Sequence, residues 1–299
     1  MIILNLHAVS VKDIADISTA RCCFTRGFLY ERMEIFREVT MKPKNASLTC
    51  ETDYFSTHCT DDILVFRYKG NSLLASTIIK AKEMTLEVFK RAEAHPRIRI
   101  VVLMHAPRKP RREEYLSFFD MVTSARLPET SVMRLYSAVD QLILYFLSSD
   151  LFFVAANCGK VLPMMIAISL ACDYRILGDN TAIQNPALEL GLIAKGGAPF
   201  FLRHHLPKGK IYELLLSRQD ITAREAVAMG LGDRCLSTDN FEQNVMMVAA
   251  EFAALPPRSL CLAKRLINFS VADAADYLAY ENKHLLSAMH QAKMGVKCD

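Results

Sequence analysis

The chain has no C-x-x-C pair, no H-x-x-x-H and no H-E-x-x-H, so the usual ligand spacings of zinc sites are missing and no metal is expected. Glycine and proline are sparse, 11 of each in 299 residues, and no repeat or low-complexity tract is visible, which excludes fibrous and disordered classes. Charge of one sign is lacking too. The formal net charge is +4, too little over this length to draw nucleic acid or a membrane by bulk attraction. The opening apolar run, residues 1–6, is too short for a membrane helix and no basic region precedes it, while Asp13, Asp16 and Glu31 speak against a transit peptide. The nine cysteines, an odd number scattered mostly through apolar runs, fit buried thiols in a reducing compartment, and a cytoplasmic protein is expected.

What is present is 52% hydrophobic against 23% charged residues, enough to bury a large core in one large domain or two small ones. Residues 1–60 have weak periodicity and a polar stretch at 42–47, and read as an extension or mobile lead-in. Residues 63–68 read as a strand, 76–94 as an amphipathic helix stopped by His95-Pro96, and 98–104 as a strand buried on both faces, giving a β-α-β unit with a parallel pair. A basic, proline-punctuated loop spans 107–112, followed by helices over 113–122 and 130–149 and a strand over 151–156. Pro163 opens a helix through Ala171, because its missing N–H is no loss at the first helical position, and 174–177 is a fourth strand. After Lys208 the pattern is helical: 211–217, 223–229, 240–255, 259–268 and 274–289. The order predicts an α/β core over 61–205 and a helical part over 206–299.

Ala171-Cys172-Asp173-Tyr174-Arg175-Ile176-Leu177 opens a run of motifs that resembles the enoyl-CoA hydratase/isomerase, or crotonase, superfamily. Residues 185–193 (NPALELGLI) resemble its Q-P-E-x-x-L-G-L-I segment and are followed by Gly196-Gly197. The segments 213–216, 221–226 and 230–234, and Leu255-Pro256-Pro257 with Ala263-Lys264-Arg265, resemble later family motifs in the same order. The likeness covers roughly residues 62–290. It implies a crotonase (ClpP-like) spiral of β-β-α turns, with C-terminal helices that trimerise and cover coenzyme A. A homotrimer or hexamer, or a mixed trimer with an active relative, is implied, together with an acyl-CoA or acyl-carrier thioester as ligand. Coenzyme A would then be part of the substrate, with no separate cofactor.

In that family two backbone N–H groups hold the thioester oxygen where enolate charge develops, and one oriented donor of this kind is worth ~3 kcal/mol. Counting from Asp173, the G-G-G-x-E signature falls on residues 163–167, so the first acid/base glutamate is Ala167; the glutamate of Q-P-E is Ala187. A methyl group carries no proton, and a positioned acid or base supplies ~10²- to 10⁴-fold in rate. Two-glutamate hydration is therefore not expected. Met164 stands at one oxyanion donor position and Arg112 at the other, by gapless alignment of Arg111-Arg112-Glu113-Glu114-Tyr115 with the family's C-A-G-A-D run. Met165 is read as a core side chain.

Arg108, Lys109 and Arg111, with Arg112, fit the phosphates of coenzyme A or a solvated loop. Lys195 and Tyr115 are the replacement catalytic candidates, Lys195 as a partly desolvated base or charge stabiliser or simply a structural lysine. Glu114 and Glu189 are nearby titratable groups, Cys158 reads as a buried thiol, and His105, His204 and His205 as polar loop residues. The expected function is an acyl-thioester-binding family member, a lyase or isomerase of fatty acid metabolism by resemblance, with divergent or strongly reduced catalysis. A non-catalytic scaffold or regulatory subunit, and an enzyme of acyl-carrier-protein thioesters, are the alternatives. No RNA-binding motif accompanies the basic residues, so no nucleic-acid partner is expected.

Overall fold

A computed structural model describes residues 48–69, 79–105, 128–185, 195–203, 206–217 and 219–293. Among them the strands are β1 (Cys50–Glu51), β2 (Phe55–Thr60), β3 (Ile63–Tyr68), β4 (Ile100–His105), β5 (Phe152–Asn157), β6 (Lys160–Val161), β7 (Tyr174–Gly178), β8 (Ala182–Ile183), β9 (Ile221–Thr222) and β10 (Arg234–Leu236). The helices are α1 (Ile79–Glu93), α2 (Glu129–Ser148), α3 (Pro163–Leu170), α4 (Ala198–Leu202), α5 (Lys208–Leu216), α6 (Ala223–Ala228), α7 (Phe241–Ala253), α8 (Pro257–Ile267) and α9 (Val271–Lys293). The helix expected over 113–122 and the segment 1–47 lie outside the described residues.

The larger sheet runs β1-β2-β3-β4-β5-β7-β10. It is antiparallel at β1–β2–β3 and parallel from β3 to β10, with Ile63 opposite Ile100 and Ile100 opposite Phe152. Its central strands are buried on both faces, and for that reason they read as continuous apolar runs. Leu64, Phe66, Val101, Leu103 and Phe153 point to one core, which α1, α2 and α3 cover. Ile63, Val65, Ile100, Val102 and Val154 point to the other, closed by Phe241, Val245 and Val248 of α7. The helices after residue 206 therefore share a core with the strands before it. A small second sheet, β6-β8-β9, flanks α3.

Two expectations change. Residues 50–60, read as part of the lead-in, form β1 and β2; only Phe55 and Thr57 of β2 are buried, so the strand leaves almost no apolar alternation in the sequence. The cysteines are not uniformly buried: Cys172 is, whereas Cys59 and Cys235 are exposed on β2 and the edge strand β10. No single helix among the described residues is long and apolar enough to cross a membrane.

Candidate functional site

Helix α3 has one polar side chain, Ser169, and is buried from Met164 to Leu170, which requires its ends to be satisfied by neighbours rather than by water. Pro163 occupies the first helical position, as expected from the sequence. The N–H groups of Met165 and Ile166 donate to Leu162 O at 2.9 and 3.2 Å. Met164 N–H is left without a partner among the described residues. Its side chain, like that of Met165, is buried in the core.

Ala167 lies one turn on and is 0% exposed. Its methyl packs against the backbone of Gly196: a Cβ built on that glycine would stand 2.8 Å from the Ala167 Cβ and 3.7 Å from Met164 O. With φ of +124°, the position is closed to other residues by both conformation and space. The Lys195–Gly197 turn thus forms a wall over the first turn of α3, and Gly197, at φ +76°, starts α4.

The turn is held from behind by charges. Lys195 is 8% exposed, and its ammonium donates to Asp140 of α2 and, at 2.9 Å, to Glu281 Oε2 of α9. Glu281 also accepts from Gly196 N at 3.1 Å and, through Oε1, from Gly197 N at 2.9 Å. Asn282 Nδ2 donates to Asp140 Oδ2 at 2.6 Å, completing a buried cluster of two carboxylates and one ammonium. Burial pushes the Asp140 carboxyl above the usual carboxylate range, Lys195 pulls it back, and Glu281 raises it further. Lys195 stands next to Gly196, the residue packed on Ala167, with its ammonium engaged by two carboxylates.

A second buried lysine serves the frame. Lys264 of α8 reaches Asp173 at 2.8 Å and Leu151 O, with its ammonium 4.8 Å from the centre of the Phe153 ring. Arg175, two residues on, donates to both carboxylate oxygens of Asp233, from Nη2 at 2.7 Å and from its backbone N at 2.8 Å, which locks β7 to the turn before β10. A cleft of about 420 Å³ opens beside Lys264 and Arg175, at the C-terminal end of α3 and away from Met164. Cys158 is half-buried with its thiol pushed up by burial, which leaves it unactivated.

Ala187, Arg108, Lys109, Arg111, Arg112, Tyr115, Glu114, Glu189, His204 and His205 lie outside the described residues, as does the side chain of His105. Asp140, Glu281 and Asn282 escaped the sequence reading. Their signal was present: Glu281 and Asn282 fall on the buried stripe of α9 set by Ala274, Leu278, Leu285 and Met289, and Asp140 sits between Val139 and Leu142 in α2. A charge on an apolar helix face calls for a partner.

Residues 67–298 match the profile of the family described as Enoyl-CoA hydratase/isomerase. "Probable enoyl-CoA hydratase EchA17" of Mycobacterium tuberculosis is 32% identical over 111 residues, 37% of this chain and 42% of that protein, so the chain matches about two fifths of this relative's length. Carnitinyl-CoA dehydratase of Proteus mirabilis is 25% identical over 38% of this chain and 43% of its own. Enoyl-CoA hydratase from Bacillus halodurans shares the fold at a TM-score of 0.71 and 18% identity, over 81% of this chain and 97% of that one. Its counterpart from Polaromonas reaches 0.63 at 21% identity, over 81% and 93%.

Proposed function

The chain belongs to the enoyl-CoA hydratase/isomerase family, and from that premise we propose that it binds an acyl-CoA thioester without hydrating it as a two-glutamate member would. Members of the family bind acyl-CoA thioesters and commonly form trimers. The observation that carries the reading is Ala167, which the motif count puts at the family's first acid/base position: it is a buried methyl packed on Gly196, one turn from Met164, whose N–H has no partner among the described residues. The Met164 N–H is a fit donor for a thioester oxygen, standing at a helix start where a developing negative charge is favoured. Lys195 acts in this reading as an anchor of the wall, because its ammonium is already engaged by Asp140 and Glu281.

The remaining parts of the site are assigned by resemblance. Arg112 supplies the second oxyanion N–H, Arg108, Lys109 and Arg111 meet the phosphates of coenzyme A, Ala187 marks the second lost glutamate, and Tyr115 is the replacement acid/base candidate. Purified protein should bind butyryl-CoA saturably while turning over crotonyl-CoA at least ~10²-fold more slowly than a two-glutamate relative. Turnover at the relative's rate would overturn the assignment of Ala167.

A second reading, a scaffold or regulatory subunit working through self-association or a mixed trimer, is favoured by the surface of α8. Leu266, Ile267 and Phe269 are 75%, 77% and 86% exposed around the end of that helix. Failure to bind any CoA thioester, together with a stable complex with an active relative, would select it.

A further inference from the structure

We propose that Glu281 is a positioning residue of the thioester site: through its carboxylate, α9 fixes the Lys195–Gly197 turn against Ala167. The inference rests on the reading of Ala167 and Met164 as part of that site. Gly196 and Gly197, at φ +124° and +76°, turn two successive backbone N–H groups onto one carboxylate, and that bidentate grip sets both the height and the rotation of the turn. Lys195 adds a third donor to the carboxylate, at Oε2. Glu281 is 8% exposed, so loss of its carboxylate strands the turn's N–H groups in a mostly dry interior. Its own helix is tied to α2 through Asn282 and Asp140, which makes the grip rigid at its far end. The turn packs on Ala167 and Met164 O, so a shift of the turn moves the wall along the first turn of α3, which carries the proposed donor Met164 N–H.

The test compares Glu281→Gln and Glu281→Ala with Asp173→Asn, which strips the frame lysine of its carboxylate without touching the turn. Butyryl-CoA affinity and amide exchange at Gly196 and Gly197 are measured on each variant at a temperature where its melting curve shows it folded. Glu281→Ala should weaken binding ~10- to 100-fold and Glu281→Gln, which keeps one acceptor oxygen, ~10-fold or less. Glu281→Ala should expose both glycine amides to exchange and Glu281→Gln at least one of them, whereas Asp173→Asn should lower the melting temperature and leave affinity and those amides unchanged. Equal affinity in wild type and Glu281→Ala, or an affinity loss in Asp173→Asn matching that in Glu281→Ala, would overturn the proposal. Should wild-type protein bind no butyryl-CoA, the ligand reading fails by itself. The positioning role is then decided by exchange: protected glycine amides in Glu281→Ala would sink it, and lost protection would sustain it.

Discussion

Lys195 and Lys264 are both buried lysines on ion pairs, but they sit in opposite electrostatic settings. Lys264 faces one carboxylate, Asp173, which also accepts from Phe153 N, and the pair welds α8 to β5 and the start of β7. Charges balance there. Lys195 faces two carboxylates from two helices, so its cluster carries an excess negative charge in a low-dielectric interior. Burial raises the carboxyls of both Asp173 and Asp140, but only in the unbalanced cluster does a second carboxylate, Glu281, raise it further. Removing one member should therefore cost differently in the two places.

Asp173→Asn should be the most damaging change, because it strands the Lys264 ammonium away from water; a loss of about 3–5 kcal/mol is expected by denaturant titration. Lys195→Met leaves Asp140 beside Glu281 and should cost about 3 kcal/mol near neutral pH. That penalty should shrink in mild acid, where Asp140 can take the proton that relieves the repulsion. Gly196→Ala forces a side chain into a left-handed position and onto Ala167, for about 1–3 kcal/mol and a weakened thioester affinity.

Asp140→Asn should be the gentlest, within about 1 kcal/mol of wild type, because Lys195 keeps Glu281 as a single counter-charge. Asn282 Oδ1, a buried acceptor without a partner among the described residues, gains a donor if its amide turns over to meet the new one. The pH dependence fixes the sign. A carboxyl whose folded pKa is raised holds its proton longer when folded, so its contribution falls as pH rises from about 3.8 through the folded value. The stability of Asp140→Asn relative to wild type should therefore increase from about pH 4 to about pH 7. A flat difference would mean that Asp140 titrates normally.

The same contrast explains what could be read from the sequence. The segments that carried the resemblance, around Asp173-Tyr174-Arg175, Gly232-Asp233 and Ala263-Lys264, are frame residues, and the contacts Asp173–Lys264 and Arg175–Asp233 show why they come as fixed units at β7 and its neighbours. The central strands and long helices were legible because burial on two faces, or on one stripe, prints a pattern on the chain. The two-residue strands β6, β8 and β9 and the five-residue α4 are too short to print one. Thr222 and Glu225 form a capping box at the start of α6, a local signal carried by the T-x-x-E spacing. The Lys195 cluster joins residues 55 and 86 positions apart, a pairing that no local pattern encodes.

Calorimetric titration of the wild-type protein with crotonyl-CoA reads binding and turnover in one trace. A site with a thioester-oxygen donor but a methyl at the acid/base position should give a saturable isotherm that returns to baseline after each injection. Sustained heat of hydration, at the rate of a two-glutamate relative, would contradict it.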